Sequence, residues 1–185
     1  MALIPYADTE KLSGKAREAF DRLPRKLNIF RMWANAPDCF VSGIRFGGNI
    51  LARQKLNAAL RELVILLVAR IEGGTYEWVQ HVPIAEAAGC KKEQIKALEA
   101  SKLDDPAFDA REKVLLRFAR EVIVDVRASE ATLKEVQKHF SPQEIVEIIL
   151  TCGFYMTMAR MTETTGVDVD APAGMEIVKN LEKMR

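Results

Sequence analysis

Histidine and cysteine are scarce in this chain of 185 residues, with two of the first and three of the second. Cys39, Cys90 and Cys152 lie far apart and form no C-x-x-C pair. An odd, scattered set implies reduced thiols in a reducing compartment, each serving as a small core hydrophobe. Long apolar runs are missing too. The most apolar stretch, 63–69, has seven residues, whereas a spanning helix needs about 20. Met1-Ala2-Leu3-Ile4-Pro5-Tyr6 lacks the basic stretch and apolar run of a secretory signal. A cytoplasmic protein with no membrane partner is the expectation. Nor does one sign of charge prevail: 27 basic and 26 acidic residues leave +1. The charges are interleaved, which gives no footprint for nucleic acid or an anionic surface.

What remains is an ordinary globular composition, 49% apolar and 29% charged. It is enough for one domain over 1–185 with a proper core. No alternating β-rich run with hairpin turns appears, and helical signals dominate, so the fold class is all-α. Ser13 opens a short helix ended by Pro24, and 28–35 forms a second, ended before Pro37. A third covers 38–53, where Gly43, Gly47 and Gly48 allow a backbone or ligand to come close. Asn57 caps a helix to Glu72, closed by Gly73-Gly74, and Thr75 caps the next, ending at Gly89. Helices follow over 91–101, from Asp109 to about 125, and from Ser129 to Phe140. Ser141-Pro142-Gln143-Glu144 combines an N-cap, a first-turn proline and a capping box, starting a helix to about Thr164. An extended linker over 166–174 and a short terminal helix over 175–185 complete the chain.

The chemistry concentrates between Arg61 and Gly89. Glu62 shares a helical face with Leu66 and Ala69, so a carboxylate sits among apolar groups. There it must be paired, or stay protonated. On the next helix Glu77 and His81 are four residues apart and face the same way. The Gly73-Gly74 turn makes the two helices antiparallel neighbours. Two carboxylates and an imidazole then converge on a partly dry cleft, an acid/base constellation.

This spacing resembles the carboxymuconolactone decarboxylase / alkylhydroperoxidase D superfamily. Its peroxidase branch has a Glu, eleven residues, C-x-x-C, and a His four residues after the second Cys. From Glu62 the same count reaches Gly74, Glu77 and His81, so the two thiol positions hold glycine and a carboxylate. The E-x-x-x-H form of Glu77 and His81 looks like the decarboxylase branch. The run Tyr76-Glu77-Trp78-Val79-Gln80-His81, the Ala-Ala-Gly at 87–89, and 153–160 as a second core helix extend the likeness over about 35–167. Residues 1–34 and 168–185 are then extensions. The resemblance implies a compact alkylhydroperoxidase D-like bundle and a homotrimer or homohexamer with pockets between subunits. It also implies a place in aromatic catabolism. Nearly all-round apolar helices in so short a chain independently predict oligomerisation.

Each residue carries a plainer reading beside the functional one. His81 and Glu77 form either a reacting pair or a structural helix pair. Glu62 either tunes the site or partners a cation such as Arg70. Tyr76, Trp78 and Tyr155 are candidate substrate contacts, Trp78 being equally at home in a core or interface. Arg160, on an otherwise apolar helix, needs an anion, from an internal carboxylate or from substrate. His139 fits a favourable contact with its helix C-terminus. Pro83 leaves the carbonyl of Val79 free and either kinks the helix beside the site or sits harmlessly.

The expected function is a cofactor-free lyase or isomerase acting on a small carboxylated or lactone-type organic acid. His81 transfers the proton, Glu77 fixes its tautomer, Glu62 tunes or relays, and Arg160 holds the substrate anion. The alternative is a non-catalytic helical oligomer that binds a small molecule. A metal centre is disfavoured, because two carboxylates and one imidazole offer less nitrogen or sulfur than zinc or non-haem iron sites use. A thiol peroxidase is disfavoured because no two thiols are placed to form the internal disulfide.

Overall fold

The computed structural model describes residues 1–175, and among them there are nine α-helices and no strand. In chain order these are α1 (Gly14–Asp21), α2 (Asn28–Trp33), α3 (Pro37–Arg53), α4 (Ala58–Glu72) and α5 (Thr75–Ala88). They continue with α6 (Lys92–Glu99), α7 (Ala110–Asp125), α8 (Glu130–Val136) and α9 (Pro142–Thr165). A short 3-10 turn, Thr9–Lys11, precedes them. All but Met175 of the expected terminal helix lies outside the described residues.

The strongest boundary signals act as their chemistry dictates. The Asn57 carboxamide oxygen accepts from the N–H groups of Ala59 and Leu60. Asp109 and Ser141 each complete a capping box, with Glu112 and Glu144 respectively. Gly73, Gly89 and Gly166 terminate α4, α5 and α9 in the left-handed region, where a Cβ would be strained. Three boundaries differ from expectation. Pro37 opens α3 instead of merely ending α2, since a first-turn proline gives up no hydrogen bond. Gly74, not Thr75, is the cap of α5. The helix from Ser129 ends at Val136 and finishes in turns.

α4 is the centre of the bundle. Every residue from Leu60 to Ala69 is buried, as a helix apolar on all sides requires. It packs against α5, α9, α7 and α6. α9 is long and apolar enough to cross a bilayer by length and composition, with mean hydropathy 1.2. One of its faces (Ile145, Ile148, Cys152, Tyr155) instead joins the protein core. The glycines of α3 do permit close approach, and aromatic rings fill the space. A Cβ on Gly43 would lie 2.0 Å from the Trp33 ring, and one on Gly47 would lie 2.6 Å from Phe154.

The segment expected as a linker is a strap bound to the bundle. Asp170 accepts from the Tyr76 hydroxyl at 2.6 Å and from the Asn28 N–H at 2.8 Å. The Gln80 amide donates to the Asp170 carbonyl at 2.9 Å and accepts from the Ala173 N–H at 3.1 Å. Asp168 accepts from the Tyr6 hydroxyl at 2.9 Å.

Loss of the α4 cap is measurable. Asn57→Ala should destabilise the fold by about 0.5–2 kcal/mol, read as a lower urea midpoint with an unchanged slope. An unchanged midpoint would mean that tertiary packing alone holds the start of α4.

Candidate active site

The left-handed Gly73 turn folds α5 back along α4 and sets His81 against Glu62. Nδ1 of His81 lies 2.8 Å from Oε2 of Glu62. Glu62 is fully buried and His81 is 8% exposed, so this contact lies out of water. Arg61, also buried, places Nε 3.4 Å from the other carboxylate oxygen. A buried carboxylate without such partners would be strongly unfavourable. With a guanidinium beside it, Glu62 acts as the acceptor, which assigns the hydrogen to Nδ1 and leaves Nε2 with the lone pair. Among the described residues Nε2 has no hydrogen-bond partner.

His81 lines a cavity of about 110 Å³ between α2, α3, α5 and α9. Most of the wall is apolar, including Phe30, Trp33, Ile84, Phe154 and Met158, while Tyr76, Glu77, Gln80 and Tyr155 supply the polar groups. Tyr155 meets the imidazole edge-on, with ring centroids 4.9 Å apart and an interplanar angle of 89°. Burial raises its phenol well above the ordinary range, and its hydroxyl has no hydrogen-bond partner among the described residues.

Glu77 lines the same cavity, but its pairing differs from expectation. No hydrogen bond joins it to His81 among the described residues. Instead the Thr162 hydroxyl donates to its two oxygens at 3.2 and 3.1 Å. The carboxylate lies over Gly74, where an added Cβ would be 2.7 Å from Oε2 and 2.9 Å from the Ala159 Cβ. Glu77 therefore occupies space that any side chain at position 74 would need. Burial raises its pKa, outweighing its own N–H, the Thr162 hydroxyl and the charge of His81. The hydrogen-bond partner of His81 is thus Glu62, and Glu77 is a carboxyl in the cavity wall whose pKa burial raises.

Two candidate substrate contacts lie elsewhere. Arg160 is exposed and forms a two-point ion pair with Glu72, Nε to Oε2 at 2.9 Å and a second nitrogen to Oε1 at 3.0 Å. Its anion is internal, as the plainer reading had it. Trp78 is half-buried against the main core and does not line the cavity. Tyr76 does line it, with its hydroxyl committed to Asp170. Arg61, Thr162, Gln80 and Asp170 carried no assigned role in the sequence. Arg61 alone had a local signal, as the cation next to Glu62. Thr162 and Asp170 reach their partners across 85 and 94 residues, which no local pattern records. Among the described residues no three His, Cys, Asp or Glu side chains gather closely enough to hold a metal ion.

Residues 43–121 match the Carboxymuconolactone decarboxylase family. The matched segment carries Glu62, Glu77 and His81 and stops short of α9. The fold is shared more widely. An uncharacterized peroxidase-related protein from Ralstonia eutropha JMP134, with an alkylhydroperoxidase AhpD core, is 20% identical with a TM-score of 0.78. That likeness covers 98% of this chain and 96% of that one. A peroxidase-related protein from Silicibacter sp. TM1040 is 18% identical, with a TM-score of 0.76 over 97% and 95% of the two chains. The debrominase Bmp8, in a complex with 2,3,4-tribromopyrrole, is 14% identical with a TM-score of 0.71, over 100% and 96%. No curated protein matches the chain in sequence. The single all-helical unit is therefore alkylhydroperoxidase D-like, as the frame of Glu62, Glu77 and His81 led one to expect.

The raised pKa of Glu77 gives stability a pH signature. The folded chain holds this proton to higher pH than the unfolded chain, so stability falls as pH rises above about 4.5 toward the raised value. Glu77→Gln mimics the protonated carboxyl and removes that loss. Urea unfolding from pH 4.5 to 8 should show the variant gaining stability over the native chain as pH rises. Parallel curves would mean that Glu77 titrates alike in both states.

Proposed function

We propose that this protein is a cofactor-free acid/base lyase or isomerase acting on a small organic acid or lactone whose reacting carbonyl end is mostly apolar. The observation that carries the reading is the buried Glu62–His81 hydrogen bond, with Nε2 of His81 at an apolar cavity. Neutral His81 takes a proton from the carbon beside the substrate carbonyl through Nε2. Glu62 stabilises the resulting imidazolium through Nδ1–H. The developing enolate oxygen accepts a hydrogen bond from the Tyr155 hydroxyl or the protonated Glu77 carboxyl. Isomerisation ends when His81 returns the proton to another carbon. In decarboxylation the carboxylate leaves as CO₂, and the carbanion takes a proton that His81 has first accepted from solvent at Nε2.

The geometry shifts the substrate class within the earlier expectation. Arg160 is held by Glu72 outside the cavity and Arg61 by Glu62 behind it. Among the described residues the cavity wall offers no fixed cation, which favours a neutral lactone or ketone end. A carboxylate entering it would be desolvated, a condition that promotes CO₂ loss. A volume of about 110 Å³ admits one small moiety, no larger than a single ring.

A thiol peroxidase reading lacks a thiol pair. Burial pushes the Cys90 and Cys152 thiols up to about 12, and Cys39 is exposed without a partner cysteine. Three free thiols suit the cytoplasm. The exposed Val146, Ile149 and Leu150 on α9, with Phe46 on α3, support burial against further copies in a homotrimer or homohexamer.

Solvent-deuterium exchange into small lactones and ketones, followed by NMR, tests the acid/base reading. His81→Gln should lower exchange about 100- to 10,000-fold with the fold retained. Glu62→Gln should lower it less, because an amide still hydrogen-bonds Nδ1. Undiminished exchange in His81→Gln sinks the assignment. A chain lacking all three cysteines should keep full exchange activity. Hydroperoxide turnover that disappears in that variant would restore the peroxidase reading. Light scattering should report three or six copies, and a stable monomer at micromolar concentration would contradict the assembly.

A further inference from the structure

A second, larger cavity of about 580 Å³ lies between α1 and α3. Four cationic side chains, Lys15, Arg22, Arg45 and Arg53, line it with one carboxylate, Glu18. Of the four, only Arg22 has an ion pair among the described residues, a long one of 3.9 Å to Glu18. Over the whole chain the charges balance almost one for one, at 27 basic against 26 acidic. Gathering four cations around one acid sets up a local positive potential that attracts anions. Guanidinium groups are shaped for such an anion, since each forks two N–H donors toward paired oxygens. Asn49 adds an amide to the rim, and Ala19 and Val41 give an apolar floor.

The position of this groove relates it to the site. Ile44 and Gly48 of α3 line both cavities, so the two adjoin across one helix. Gly48 puts no side chain between them. Among the described residues the His81 cavity is lined by no cation, while its neighbour is lined by four.

We propose that the α1–α3 groove binds the multiply charged oxyanion arm, phosphoryl or polycarboxylate, of the molecule whose apolar reactive end enters the His81 cavity. The anion site stands on the groove alone, and the shared ligand rests on the acid/base reading above. The arm supplies binding energy far from the reacting atoms, which leaves the reacting end in a dry, uncharged cavity.

Calorimetric titration of the full chain with inorganic pyrophosphate, citrate and benzyl diphosphate tests both parts. Pyrophosphate or citrate should bind with an affinity that falls with salt, and the tighter of the two names the chemical source of the arm. Arg45→Gln and Arg53→Gln, both exposed positions, should each weaken that binding about tenfold or more. His81→Gln should leave it unchanged, which separates this site from the catalytic reading. Benzyl diphosphate should bind more tightly than pyrophosphate and perturb the NMR signals of both Gly48 and His81. No binding of either inorganic probe or citrate, or binding indifferent to Arg45 and Arg53, overturns the anion site. Pyrophosphate binding with no gain for the benzyl compound overturns the shared ligand.

Discussion

One contact organises the molecule: the 2.8 Å hydrogen bond between Glu62 and His81. Glu62 sits at 0% exposure in the most buried helix of the bundle, where an unpartnered carboxylate would be costly. Its compensation comes from one neighbour in sequence, Arg61, and one across the helical turn, His81. That requirement fixes how α5 lies on α4. The same register presents the other imidazole nitrogen to an apolar cavity. Structural necessity and chemical capacity thus meet in one side chain.

Glu77 marks where this chain differs from the C-x-x-C frame that it resembles. In the frame of the superfamily it stands at the second thiol position, with Gly74 at the first. The two changes are coupled sterically, because the carboxylate lies over the glycine where a Cβ would stand 2.7 Å away. Restoring a side chain at 74 alone would force the carboxylate to move. Burial raises the pKa of this carboxyl, so the cavity wall holds a carboxyl where the frame that the chain resembles holds thiols.

Much of this was legible in the sequence, and the failures have one cause. Helix existence, the caps at Asn57, Asp109 and Ser141, and the meeting of Glu62 with His81 follow from local spacing and a short turn. Spacing of four residues brings Glu77 to the face of His81, yet it does not fix where the carboxylate points. Thr162 decides that from 85 residues away. Arg160 looked stranded because its partner, Glu72, lies on another helix 88 residues earlier. Trp78 gave no signal that would separate core from cavity. The strap over 166–174 read as a linker because its binding groups, Asp168 and Asp170, look like ordinary turn residues until Tyr6, Asn28 and Tyr76 are beside them.

That strap also sets an order of events. Tyr76 and Gln80 line the cavity, and both are fixed by backbone or side-chain atoms of residues 170–173, joined across 90 or more residues. Contacts so distant in sequence form late, after local helices and their nearest pairings. During synthesis the helices that carry Glu62 and His81 emerge long before Asp170 does. The bundle can therefore assemble around an unfinished cavity, whose polar wall is set only when residues 170–173 have been made.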